Sequence, residues 1–360
     1  MTALERRARR RRIERPGVER PGVAFAATIA VLSFVCLIAC LASVGFGAAP
    51  IAPTRIVAIL LGEGGRSADA MIVLNIRLPR TFLAFFVGGG LALSGALLQT
   101  LFRNPLADPG VTGVTSGAAL AAVATIVLGG RFAAPLLAAW SDWALPVVAF
   151  LGALATTIAL YVLSTRGGRT SATTMLLAGI GVGAFAQSLT GLLATMSDDR
   201  QLRDLTFWLL GGLGGATWAK AMVAASLVTP VFLASPSLAR SLNALSLGEA
   251  EAFYLGVRVE RDKRIIIALS SLAVGAGVAL AGPIGFIGIV APHLIRLTVG
   301  ADHRIVLPAS ILLGGALLIF ADILARTIAA PAETPLGVLT GLMGAPFFLW
   351  LLSSRARRIE

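Results

Sequence analysis

Between Ile265 and Pro292 the chain runs for 28 residues without a single charged side chain. A helix of about 20 apolar residues crosses the hydrocarbon core of a bilayer. A run this long therefore crosses, bends at its glycines and Pro283, and begins a return. About ten comparable stretches fill most of the sequence, which is the pattern of an all-α integral membrane protein with about ten transmembrane helices. Hydrophobic residues make up 57% of the chain and charged ones 13%, and the mean hydropathy is +0.87. That leaves too little polar surface for a soluble domain of 360 residues.

The longest polar stretches, Met1 to Gly22 and roughly Ser235 to Arg264, are too short to bury cores of their own. One transmembrane domain over 24–353 is expected, with a cytoplasmic insert at about 236–263 and basic tails at 1–23 and 354–360. The net charge of +12 does not argue for nucleic acid, because eight of the thirty basic residues are arginines in the first 22 positions, just ahead of an apolar span. That is the positive-inside signature of a cytoplasmic amino terminus. The apolar segment Ala24 to Val44 is longer than a signal-peptide core and reads as an uncleaved first span. Within it, Cys36 and Cys40 lie one helical turn apart with no His or further Cys nearby, so they read as small apolar-behaving thiols and not as a metal or redox pair.

The predicted spans are 24–44, 80–102, 109–129, 143–165, 171–196, 218–236, 264–281, 285–299, 305–327 and 335–353. An even count returns the carboxyl terminus to the cytoplasm, where Arg355, Arg357 and Arg358 sit. Under this topology 21 of the thirty basic residues are cytoplasmic and 9 external. Among the external ones, Arg77 and Arg80 flank Pro79 at the start of the second span and share a helical face. Small-residue spacings such as Gly88/Ala92, Gly179/Gly183 and Gly211/Gly215 predict close helix contacts.

The eighteen acidic residues fall in loops or at span ends, and only Asp322 is placed inside a span, near its outer end, where it could pair with Arg326 at i+4. Ion-coupled carriers usually place ionisable groups near the midplane, so the distribution disfavours that class. No phosphate-binding loop is present, since the two lysines, Lys220 and Lys263, lack the glycine pattern it needs. Uphill transport would need a partner's energy. Leu242 to Val257 reads as short helices broken at Gly248 and Gly256, an amphipathic insert suited to a helix-in-groove contact with such a partner.

Four long blocks, RLPRTFLAFFVGGGLALSGALLQTLFRNPLADPGVTGVTSGAAL (77–120), LNALSLGEAEAFYLGV (242–257), GPIGFIGIVAPHLIR (282–296) and ETPLGVLTGLMGAPFFLWLL (333–352), resemble the permease subunit of bacterial ABC importers for iron-siderophore complexes, heme and vitamin B12. The resemblance implies the type II ABC importer permease fold in the bacterial inner membrane. It implies a homodimer, two cytoplasmic ATPases that carry the ATP and magnesium, and a periplasmic binding protein. This chain would itself hold no cofactor, no metal and no catalytic residue. By the same resemblance Arg77, Arg80 and Arg326 would be exposed and dock carboxylates of the binding protein. Leu247, Gly248, Glu249, Ala252, Leu255 and Gly256 would couple to the ATPase. Asn104, Leu106, Ala172 and Thr173 would form the cytoplasmic gate, although Ala172 departs from a Ser/Thr-rich gate.

Leu202 to Trp218 holds fourteen uncharged residues in a row with four glycines, and reads as an external re-entrant or short helix at the mouth of the path. Its FW and GGATW wording is most like the heme branch, with ferric siderophores or cobalamin as the alternatives. His293 and His303 read as structural and loop residues, not as iron ligands, because a path that must release its passenger binds it weakly.

Overall fold

The computed structural model of the chain describes residues 21–356 apart from Gly64 and Arg66. Most of the two predicted basic tails lies outside the described residues. Ten apolar helices carry the described fold: α1 Pro21–Gly45, α2 Ala68–Leu101, α3 Val114–Phe132, α4 Ala144–Ser164 and α5 Ala172–Thr195, then α6 Trp218–Ala234, α7 Val259–Ala281, α8 Ile287–Val299, α9 His303–Ala325 and α10 Leu336–Ala356. Seven are long and apolar enough to cross a membrane by themselves, and three shorter apolar helices fall within α3, α8 and α10.

Two boundaries differ from the sequence reading in ways that matter. The second span does not start at residue 80. A π-helical stretch, Ile72–Arg77, fuses the short helix Ala68–Met71 to the helix from Leu78. Pro79 is the second residue of the regular α ladder, where its missing N–H costs little. Arg77 and Arg80 thus lie inside a long helix. The third span starts at Val114 and not at 109, because Asp108 accepts a hydrogen bond from the Gly110 N–H at 2.6 Å, caps the 3₁₀ turn Pro109–Thr112, and hands over to Gly113 at φ 76°.

Helix α2 is the centre of the bundle, with 83% of its apolar window buried, against 6% for α1 and 17% for α5. It packs on α6, α7, α8 and α9, while α3 packs on α4 and α5. The α2–α9 crossing depends on glycine: a methyl on Gly88 would strike the Gly314 carbonyl oxygen, and one on Gly314 would strike Ala92. The predicted Gly88/Ala92 contact is therefore used. In a lipid solvent such close backbone approach supplies the packing that a hydrophobic force cannot.

At one end of the bundle lie three joined pieces. A two-stranded hairpin pairs Thr165 with Thr170 between α4 and α5. The insert between α6 and α7 holds a 3₁₀ turn, Ser235–Leu238, and two short helices, Ala239–Leu245 and Glu249–Tyr254. It breaks at Gly248 (φ 147°) and Gly256 (φ 81°), the two predicted positions, both in backbone conformations that favour glycine. The third piece is the turn between α8 and α9. This is the insert end. The opposite end, with the segment between α5 and α6, is the mouth end.

Candidate functional site

At the mouth end, Asp198 and Gln201 form a reciprocal capping box, with bonds of 2.8 and 3.1 Å, that starts a short helix over Asp199–Leu210. The predicted short helix is thus present and begins earlier than Leu202. It ends at Gly211 (φ 68°), which meets Gly282 (φ 70°) at the end of α7. The Gly212 N–H donates to the Ala281 carbonyl at 2.8 Å, and the Leu336 N–H to the Gly211 carbonyl at 3.0 Å. This glycine-rich segment is stitched to α7 and α10, so irregular backbone is held by protein and not by lipid. Together these elements enclose a cavity of about 630 Å³ whose wall includes Phe207, Trp208, Lys220, Arg80 and Glu333. Its size and its mixed apolar and polar lining suit a small-molecule passage.

An ion cluster closes the floor of this mouth. Arg80 donates through Nε to both oxygens of Asp322 at 2.8 and 3.1 Å, pairs again with it at 2.8 Å through a terminal nitrogen, and reaches Glu333 at 2.7 Å. Arg326 lies 3.4 Å from Asp322 and donates at 2.7 Å to the Ser43 carbonyl. Arg77 donates to the last carbonyls of α1, Val44 at 2.7 Å and Gly45 at 2.8 Å, and to Ala49, capping that helix with a cation. The predicted Asp322–Arg326 pair is present, and Asp322 is fully buried.

The exposure expected of the three arginines is not there: Arg77, Arg80 and Arg326 are 3, 4 and 6% exposed. The physical reason is that each has found oxygen partners on α1, α9 or the loop before α10, and an isolated buried cation would be far costlier than a paired one. Only Glu333, with its side chain 49% exposed, opens the cluster to solvent.

At the insert end, a cavity of about 640 Å³ is bounded by Phe102, Arg103, Ala172, Thr173, Glu249 and Glu260. The structure therefore brings one half of the predicted gate, Ala172 and Thr173, together with Glu249 of the insert. The other half, Asn104 and Leu106, forms a tight turn next to Arg103, with the Leu106 N–H donating to Asn104 Oδ1 at 3.0 Å. Those two residues do not line this cavity. Of the predicted coupling residues, Leu247 and Leu255 are 63% and 56% exposed, and Ala252 is fully buried in a core cluster shared by the insert and the bundle. Ala252 is thus corrected from a partner contact to a packing residue. Sequence reasoning missed Phe253 and Tyr254, 68% and 86% exposed, which project an aromatic edge at 6.1 Å from each other.

Two polar links tie the insert to the bundle. His303, expected in a loop, is the buried first residue of α9. Its Nδ1 is 2.7 Å from Asn243 Oδ1 in the insert, and its Nε2 is 2.7 Å from the Thr100 hydroxyl of α2. Asn243 also donates at 2.8 Å to Asp302. Burial pushes the Asp302 carboxyl up, but this bond and that from the Arg304 N–H outweigh it and hold the group below the usual carboxylate range. The second link is Lys263, which is 1% exposed on the second turn of α7. Its ammonium donates to the Thr170 carbonyl at 2.7 Å, to Glu249 at 2.6 Å and to Glu260 at 3.1 Å.

A bundle of ten apolar helices, with a mouth cavity at one end and an amphipathic insert at the other, is the fold of an ABC-importer permease subunit, a multi-pass membrane protein. The chain belongs to the FecCD transport family, whose profile matches residues 35–354. It is 50% identical over 286 residues to the hemin transport system permease protein HmuU of Yersinia pestis, covering 79% of this chain and 84% of that one. It is 43% identical over 288 residues to the cobalamin import system permease protein BtuC of Halobacterium salinarum, covering 80% and 75%. Among solved structures it is similar to a transporter described as of metal-chelate ABC type in an inward-facing conformation, with a TM-score of 0.78, 32% identity, and 91% and 98% of the two chains covered.

Proposed function

We propose that this permease imports heme across the bacterial inner membrane by alternating access. It works as a homodimer with two cytoplasmic ATPases and a periplasmic binding protein, and both of its termini are cytoplasmic. The observation that carries the cargo is the 50% identity to a hemin permease. Cobalamin is the second reading, favoured by the 43% identity to a cobalamin permease. The sparsely buried flank of α5, where Gly181 and Gly191 face open space, offers room for a second copy.

Energy comes from the ATPase subunits, which seat on the exposed insert edge formed by Leu247, Phe253, Tyr254 and Leu255, with Gly248 and Gly256 shaping it. Glu249 lies behind this edge, toward the gate formed by Asn104, Leu106, Ala172 and Thr173. At the mouth, the binding protein offers carboxylates to Arg77, Arg80 and Arg326. Because these are already paired, docking is an exchange, and Arg80 is the point of entry, since its partner Glu333 is half exposed. The domain reading stands on the same basis: one transmembrane unit at 24–353, with a cytoplasmic insert at 236–263.

The cargo is tested on the cognate binding protein. Incubated with hemin and with cobalamin in competition and then desalted, it should retain a Soret band. Retention of the corrinoid spectrum instead would transfer the assignment to cobalamin, and retention of neither would overturn both.

A further inference from the structure

We infer that Lys263 is the positioning residue that makes the insert and the gate helix α5 move as one body, so that a displacement imposed on the insert reaches the gate. This deepens the proposed function and rests on the insert being the ATPase seat.

An ammonium has three N–H donors, and those of Lys263 are all taken: one by Glu249 at 2.6 Å, one by the Thr170 carbonyl at 2.7 Å and one by Glu260 at 3.1 Å. The three acceptors belong to three elements. Glu249 opens the helix Glu249–Tyr254, just after the glycine at φ 147°. Glu260 lies on the first turn of α7 beside Lys263. Thr170 ends the hairpin, one residue before Ser171, whose side chain accepts from the Thr174 N–H and caps α5. Glu260 closes the loop by accepting from the Thr170 N–H at 2.9 Å through its second oxygen. The hairpin is thus gripped at both backbone groups of one residue, by an ion pair whose third member is in the insert.

The energetics make the grip stiff. Lys263 is among the largest fully buried side chains of the chain. A buried cation that loses a counter-charge is strongly destabilised, whereas the same pair at the surface is worth little. If Glu249 moved with the insert while α5 stayed, Lys263, itself buried although Glu249 is half exposed, would keep either its insert carboxylate or its hairpin carbonyl. The cheaper response is for Thr170, and the α5 start it caps, to follow. Thr173 and Glu249 already share one cavity wall, so the distance over which the motion must be carried is short. Arg103 and Arg169 also face that cavity, but neither replaces Lys263, because neither reaches Glu249 and Thr170 together.

The test uses the complete transporter, permease with its ATPase subunits, in lipid vesicles. A spin label on Thr174→Cys, in a Cys36→Ser, Cys40→Ser background, reports the distance between the two copies of α5 with and without ATP and vanadate. An Ala250→Cys crosslink to the ATPase, from an exposed position on the helix Glu249–Tyr254 outside the aromatic edge, reports seating of the insert. The expected result for Lys263→Met is an intact crosslink, ATP hydrolysis within about twofold of the parent, and loss of most of the nucleotide-dependent distance shift. Thr170→Ala removes the side chain but keeps the carbonyl, so it should retain the shift, which a general loosening of the hairpin would not. Where Lys263→Met fails to assemble, Lys263→Gln, with two donors and no charge, is read the same way. A full shift in either Lys263 variant overturns the inference while leaving the ATPase seat in place. A parent that gives no Ala250→Cys crosslink overturns the seat itself, and the inference with it.

Discussion

Removing the charge of Asp322 is the sharpest perturbation of the mouth. Asp322→Asn keeps the shape and leaves Arg80 and Arg326 buried with one counter-charge, the half-exposed Glu333. Two cations lie within 4 Å of this carboxylate. At an effective dielectric constant of about 20, one such pair at 4 Å amounts to about 4 kcal/mol before desolvation is subtracted. Breaking a fully buried pair by removing one partner costs about 3–5 kcal/mol in practice, and that is the expected loss here. The assay is reversible SDS unfolding of the purified permease in mixed micelles, followed by tryptophan fluorescence. Arg80→Met removes one of the stranded cations, so the double variant should be less destabilised than the sum of the two singles by about 2 kcal/mol. A cost below about 1 kcal/mol for Asp322→Asn, together with simple additivity, would refute the reading of this cluster as a staple between α2 and α9.

Three further outcomes are expected. Gly88→Val should destabilise the fold by about 1–3 kcal/mol or more in the same assay, because its side chain meets the Gly314 carbonyl; an unchanged midpoint would refute the glycine crossing. Glu333→Gln should tighten docking of the binding protein severalfold at low salt, measured by surface plasmon resonance, because it frees Arg80 for the partner's carboxylate. Weaker docking would show that Glu333 helps binding and does not compete with it. Phe253→Ala combined with Tyr254→Ala should abolish co-purification of the ATPase while the permease still inserts, and full co-purification would place the seat elsewhere.

The ten spans were legible because a bilayer imposes length and apolarity on each helix separately, so Ile265 to Pro292 can be read without knowing its neighbours. The breaks at Gly248 and Gly256 were legible for a similar local reason. The start of α2 was not, since Asp69, Asn75 and Arg77 look like loop residues until the π-helical stretch carries them into one continuous helix. The burial of Arg80 was invisible because its partners lie 242 and 253 residues away. Lys263 reads as a solvated charge at a span end, and only the hairpin 93 residues earlier in the chain reveals it as a junction. Phe253 and Tyr254 look like core residues by composition, and only the fold of the insert turns them outward.

The proposed conduit is powered from one side of the membrane and loaded from the other. Its most direct test is hemin uptake into proteoliposomes holding the permease alone, with the ATPase, and with both the ATPase and the loaded binding protein. ATP-dependent accumulation is expected only when all three are present. Concentrative uptake by the permease alone, driven by an ion gradient, would contradict it.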